Sequence, residues 1–298
     1  MKKLLLPVSA LLLLTSANTF AKEVGKKIYG YGALYTSYLN YNNSKYKEDG
    51  YSTTGYLSLG DGLYNTLQLG VGYTHINYKD GYSDLDQEDF TAVYSNTNQF
   101  LKNHTFSFGV HYINSDDDLT DGGYTLFFDG TYSNYSPKYP YSFRWNAGIG
   151  LYYSHYPNTV NFNVYQVTPH TTIKLFSDYE KGTLYLDLTG YYIHVTDSDE
   201  LGIGNDNYYS LDGALRYYYG SYDFKIGGWV GKQMFAVKNG GFVVYNLAEK
   251  YKGGAYGEIG YTFKNGLRVS FNLSVNKYTE GSDDVTQTVG TVSIGYRF

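Results

Sequence analysis

The 298-residue chain contains no cysteine, so neither a disulfide framework nor a thiolate metal site can hold it together. Past its first twenty-one residues it has no run of eighteen apolar residues, which excludes a helical membrane protein. Basic charge is short as well: 23 Lys and Arg face 28 Asp and Glu, for a net charge of -5. With no basic patch interleaved with aromatics, nucleic acid is not an expected partner. The acidic run Asp116, Asp117, Asp118 and Asp121 lacks EF-hand spacing and reads as a solvated loop; no metal or cofactor is expected. Proline is limited to five residues and methionine to two, and no Pro-rich or low-complexity linker divides the chain. A single domain is expected.

What the chain does have is tyrosine, 39 of them, and glycine, 35. Aromatics with a polar tip suit strands that meet both water and an apolar medium. Mean hydropathy is nonetheless -0.40, as expected when the apolar face occupies only every second residue. At the start, Lys2 and Lys3 precede the apolar run Leu4 to Leu14, and small residues lead up to Ala21. That pattern predicts a secretory signal peptide over 1–21 and the working domain over 22–298. The run is too short to cross a bilayer, and no lipobox cysteine follows it.

From Lys27 onward, alternating segments are separated by clusters of Gly, Asn, Asp or Ser. In Leu267 to Asn276, apolar Leu267, Val269, Phe271, Leu273 and Val275 alternate with Arg268, Ser270, Asn272, Ser274 and Asn276, placing the two sets on opposite faces. The spacing predicts strands over 27–41, 51–60, 63–78, 88–96, 103–114, 123–134, 140–154, 160–177, 183–196, 207–219, 222–236, 251–263, 267–278 and 285–298. Alternation is blurred in the first, second and fourth, so twelve or sixteen strands also fit. The expected fold is all-β: a closed antiparallel up-and-down transmembrane β-barrel of about 14 strands. Asp61-Gly62, Gly220-Ser221 and Lys264-Asn265-Gly266 are its tight turns on one side. The longer connections on the other side take sixteen of the 28 acidic residues, among them Asp86, Glu88 and Asp89, because blocks of like charge must be solvated.

The chain closes on Val292-Ser293-Ile294-Gly295-Tyr296-Arg297-Phe298, apolar at every second position and aromatic at the end. This resembles the C-terminal signature of Gram-negative outer-membrane β-barrels, which the barrel assembly machinery reads, with Ser293 where a glycine is usual. The resemblance implies an integral outer-membrane location, with lipid and lipopolysaccharide around the barrel and the assembly machinery as a partner. In size and layout the chain also resembles monomeric fourteen-stranded porins. Only a few residues precede the first strand, where fatty-acid transporters carry a hatch. That implies an open channel for passive diffusion of small hydrophilic solutes. The alternative is a nonporous surface protein, an adhesin or structural anchor, whose loops do the work. A hydrolase is the third reading: His111 beside the acidic residues is its one omptin-like candidate, and no serine-hydrolase signature of an outer-membrane lipase is present. No enzymatic activity is expected.

Alternation also gives a lumen inventory. Arg144, Lys174, Arg216, Lys225 and Arg268 are expected inside as a basic ring, with Asp129, Asp187, Asp212 and Glu258 slightly higher as an acidic one. A turn centred between Glu180 and Lys181 sets Lys174 opposite Asp187. Such rings either select ions by their field or only neutralise one another in a wet barrel. Tyr141, Phe143, Tyr217, Tyr219, Tyr261, Phe263, Tyr296 and Phe298 are expected outside as an aromatic girdle. The connection from Val237 to Tyr251 carries the turn signal Lys238-Asn239-Gly240-Gly241 and then apolar Phe242, Val243, Val244 and Tyr245. It is a candidate gate across the mouth; the simpler expectation is a hairpin standing above the membrane.

Overall fold

Period-two alternation gives each strand one wettable and one apolar row, and in the computed structural model, which describes residues 28–136, 142–281 and 283–298, fourteen such strands close on themselves. They are β1 (Tyr29–Asn42), β2 (Lys47–Gly60), β3 (Asn65–Tyr78), β4 (Leu85–Thr97), β5 (His104–Ser115), β6 (Tyr124–Tyr135), β7 (Phe143–Tyr156), β8 (Phe162–Asp178), β9 (Gly182–Val195), β10 (Asn207–Tyr219), β11 (Tyr222–Gln233), β14 (Lys250–Thr262), β15 (Leu267–Glu280) and β16 (Asp283–Arg297). Two short strands, β12 (Val237–Lys238) and β13 (Val243–Val244), lie in the connection between β11 and β14. Every barrel strand pairs antiparallel with its neighbours, and β1 joins β16 from Tyr31↔Arg297 to Asn42↔Thr286. Closure leaves no edge with bare amides, the condition for strands in hydrocarbon. The expected signal peptide and Tyr141 lie outside the described residues.

The outward row is apolar and uncovered. Phe271, Leu273 and Val275 of β15, Val292 and Ile294 of β16, and Ile226 and Val230 of β11 are all exposed, the last two at 68% and 69%. A belt of this extent has no place in water. The inward row is small and hydroxylated, and its hydroxyls meet across the ladders: Ser95 with Ser107 at 2.8 Å, Thr125 with Ser154 at 2.8 Å, Ser270 with Ser293 at 2.7 Å. These pairs satisfy polar groups inside the wall and leave room for water.

Three expectations need correction. First, β4 begins at Leu85, so Asp86, Glu88 and Asp89 belong to a strand and not to a loop. The ladder runs on past the alternating stretch, with Asp86 opposite His75 and bonded to its Nδ1 at 2.8 Å. Second, β7 takes up Arg144 in a bulge opposite Asn134 and Tyr135. Phe143 therefore turns inward, its ring 5.6 Å from that of Tyr185, and leaves the outer girdle. Third, β11 ends at Gln233 where the sequence carried it to 236.

The faces make a prediction. Leu273→Arg, on the belt, is expected to lower unfolding free energy in lipid by about 2–4 kcal/mol. Asn272→Lys, inside and opposite Glu258, is expected to change it by less than about 1 kcal/mol. Denaturant unfolding in vesicles measures both, and equal losses would contradict the assignment of faces.

Candidate functional site

β11 leaves the wall at a glycine. Gly231 has φ +112, and a Cβ there would lie 2.3 Å from the Tyr209 carbonyl oxygen, so a side chain would prevent the bulge that forms here. The ladder slips between Val230 and Gln233, and the chain turns into the bore. Phe235 holds φ +52, a left-handed conformation that a bulky residue keeps only when its surroundings enforce it. They do: its ring packs 4.9 Å from Phe162 and 5.6 Å from Tyr156. Met234 and Ala236 join the same buried cluster, with Ile113, Val164, Ile193, Val195 and Tyr208 from the wall.

Segment 234–249 thus crosses the lumen and does not stand above the membrane, which corrects the simpler expectation. Asn239-Gly240-Gly241 does turn the chain between β12 and β13, but inside the barrel. The side-chain amide of Gln166 on β8 acts as a strand neighbour to this hairpin. Its Oε1 accepts from the Val237 N–H at 2.9 Å and its Nε2 donates to the Val237 carbonyl at 2.7 Å. At the tip, a Cβ on Gly241 would lie 2.3 Å from the Phe127 ring of β6, so the absence of a side chain lets the loop touch that wall. The Phe242 ring lies 5.3 Å from Tyr56 of β2.

On the way back, Tyr245 stacks 4.7 Å from Tyr251. Asn246 donates to Gln87 at 2.7 Å and to Thr120 at 2.9 Å. Glu249 then forms an ion pair with Lys47, the first residue of β2. The Lys47 ammonium lies 5.5, 6.0 and 5.6 Å from the rings of Tyr41, Tyr78 and Tyr278, a cationic group caged by π faces. Lys47 and Glu249 are both buried, so each depends on the other for its counter-charge.

Two cavities flank the loop, of about 910 and 410 Å³. Seven residues line both: Ser37, Ser52, Thr54 and Thr291 from the wall, and Asn239, Phe242 and Val243 from the loop tip. These shared residues form a neck between the two cavities, with hydroxyls on one side and the loop on the other. Of the gate candidates, Phe242 and Val243 stand at this neck, while Val244 pairs with Val237 and Tyr245 lies beyond it.

The charged residues do not form stacked rings. Asp129, Asp187, Asp212 and Lys225 line the larger cavity; Lys174, Arg216, Glu258 and Arg268 lie nearer the end that holds the chain termini. Arg144 is exposed at its bulge and is not part of the cavity lining. Arg216 bonds Asp187 at 2.7 Å, and Arg268 bridges Asp223 at 2.6 Å and Glu258 at 2.7 Å. These groups are 20–34% exposed, so water reaches this half of the bore. Lys174 stands opposite Tyr185, and Asp187 opposite Thr172. The expected pair is displaced because the turn centres on Glu180 and the register shift between Lys174 and Phe176 takes up Leu175.

Two further positions escaped sequence reasoning. Lys238 faces the larger cavity from the loop, its ammonium 4.7 Å from Trp229, 5.3 Å from Tyr245 and 5.5 Å from Tyr191. Burial among these rings pushes the ammonium down to about 8, Asp212 draws it back up and Lys225 adds to the depression. Lys47 looked like a loop residue. Nothing local marks either one, since their partners are far away in sequence.

His111 is hydrogen-bonded to Thr91 Oγ1 at 2.8 Å and to Asp89 at 3.2 Å. His111 and Asp89 line the smaller cavity while Thr91 does not, and the arrangement ties β4 to β5. His170 bonds Asp129 at 2.8 Å in the larger cavity. Among the described residues no group of three acidic or histidine side chains is placed to hold a metal ion.

No protein-family model matches the chain, nor does any curated protein sequence. Solved structures do. The CymD monoaromatic hydrocarbon channel superposes with a TM-score of 0.58 at 11% identity, over 92% of this chain and 89% of that one. The toluene transporter TbuX of Ralstonia pickettii gives 0.55 at 10% identity, over 92% and 90%. At such identities the likeness is one of fold.

Glu249→Gln strips the buried Lys47 of its counter-charge, a loss on the order of 3–5 kcal/mol for such pairs. Amide hydrogen exchange across 234–249 is expected to speed up at least a hundredfold, with the barrel strands unchanged. Unaltered protection of the loop would show that the pair does not hold it.

Proposed function

We propose that this protein is an outer-membrane channel through which small solutes diffuse passively, with segment 234–249 as its constriction and gate. The observation that carries the reading is the neck: two cavities inside one closed barrel that meet the same four wall hydroxyls and the same loop tip. Hydroxyls and water-reached ion pairs along the route favour hydrophilic solutes over bulk hydrocarbon. The aromatic cargoes named for CymD and TbuX belong to those proteins.

Residues 1–21 serve in this reading as the export signal. The final strand β16, which closes the barrel against β1, is the segment the assembly machinery takes up. Lipid and lipopolysaccharide surround the apolar belt.

The outer part of the bore is packed by buried side chains, Tyr41, Ile76, Tyr251, Tyr278 and Val285 on one side of the loop and the Phe235 cluster on the other. The conformation seen is therefore the closed or narrow one, and opening requires the loop to move. In planar bilayers the protein is expected to give brief, small openings. Deletion of Phe242 to Leu247 is expected to raise conductance several-fold and suppress closures. Silence of both proteins at every voltage would sink the channel and leave a surface anchor; equal conductance of the two would remove the gate.

A further inference from the structure

The charged lining of the larger cavity divides into groups already engaged and groups still free. Each carboxylate there has a protein donor: Asp129 has His170 Nε2 at 2.8 Å, Asp187 has Arg216, and Asp212 accepts from Tyr256 Oη at 2.7 Å. The two lysines have none of the converse. Lys225 on β11 lies 5.1 Å from the Tyr256 ring, Lys238 on the loop lies against its three rings, and among the described residues neither has a carboxylate within ion-pair distance. Two ammoniums, each with three donor hydrogens, thus meet one cavity over π faces, with the charge of Asp212 acting on Lys238 but no carboxylate bonded to either. They also repel one another, since Lys225 helps to depress Lys238. An entering anion would find both ammoniums free of a bonded counter-charge among the described residues.

The surroundings define the body of that anion. Tyr152, Tyr191 and Tyr256 present rings to the same space, suited to stacking on a flat ring or on the apolar face of a sugar. The volume of about 910 Å³ admits a molecule of small-ligand size with water around it. Lysine supplies point charges without a planar fork, so the charges locate an anionic group and the rings select the body that bears it. We infer that the cavity is a binding station for a small organic anion, a carboxylate borne on a single ring, held between Lys225 and Lys238. This rests on the channel reading for its purpose but not for its chemistry: the solute would rest here beside the neck, and its charge would loosen the hold of Lys238 on the rings of Tyr191, Trp229 and Tyr245.

Binding can be measured without conductance. The chain has two tryptophans: Trp145 on the outer belt and buried Trp229 beside Lys238. In the refolded Trp145→Phe protein in detergent, emission therefore reports on the Lys238 site. Titration with benzoate and with glucuronate is expected to change that emission saturably for at least one of them, and the responding acid shows whether the ring is aromatic or a sugar. Benzamide and methyl glucoside, the neutral counterparts, are expected to have little effect. Lys225→Met and Lys238→Met should each weaken binding about tenfold, the scale of one charge-assisted hydrogen bond.

Raising the pH from 7 to 9 should weaken binding as Lys238 loses its proton, and Lys238→Met should remove that dependence. The groups facing Lys238 are the rings of Tyr191, Trp229 and Tyr245 and the charges of Asp212 and Lys225. Equal responses to acid and neutral counterpart, or retained affinity in both lysine variants, would overturn the inference even if the protein conducts. A charge-dependent response in a protein that never conducts would leave the anion site standing and remove the channel.

Discussion

Every amide in the wall of this protein must find its partner within the chain, because the medium around it offers none. That constraint is met by fourteen paired strands and one closing ladder, from Tyr31↔Arg297 to Asn42↔Thr286. Once the ladder closes, side chains can face only lipid or the bore. The apolar row goes out, and the Ser, Thr and charged row goes in. Stability of the wall comes from the ladder and from the belt; the bore is left as a separate problem.

The bore is solved differently in its two halves. Toward the chain termini, Arg216, Arg268 and their acids pair where water reaches them, and such pairs add little to stability while keeping the space wet. Toward the other end, a loop fills it. Segment 234–249 buries its entering end among aliphatic and aromatic side chains of β5 and β7 to β10. Its returning end rests on Asn246 and on the Lys47–Glu249 pair. The hydrophobic end is held by many small contacts, and the polar end by a few contacts that fail together if one member is lost. The gate we propose uses this difference: the polar end lets go while the hydrophobic end stays fixed.

Much of this was legible in residues. Strict alternation in Leu267 to Asn276 and the terminal Phe298 were enough to place strands, faces and closure, because period two has one structural meaning. Lumen positions such as Asp129, Asp187, Asp212 and Lys225 followed from the same rule. Legibility ended wherever one residue was added or dropped. The bulge at Arg144 reversed Phe143, and the uptake of Leu175 moved Asp187 away from Lys174, although both strands had been placed correctly. A bulge alters parity without altering composition, so alternation cannot reveal it.

The sequence by itself determined the wall: its two faces, its closure and a strand number of about fourteen that the structure then fixed, since each follows from hydrogen bonding and polarity within a segment or between neighbours in order. Only the tertiary structure decided what occupies the bore. Whether 234–249 stands above the barrel or crosses it depends on contacts with β2, β4, β6 and β8, none adjacent to it in the chain. The pairing of Lys47 with Glu249 and the exposure of Lys238 to a cavity arise at that same distance. A side chain's role in a lumen is set by what reaches it from across the ring, and no local pattern carries that information.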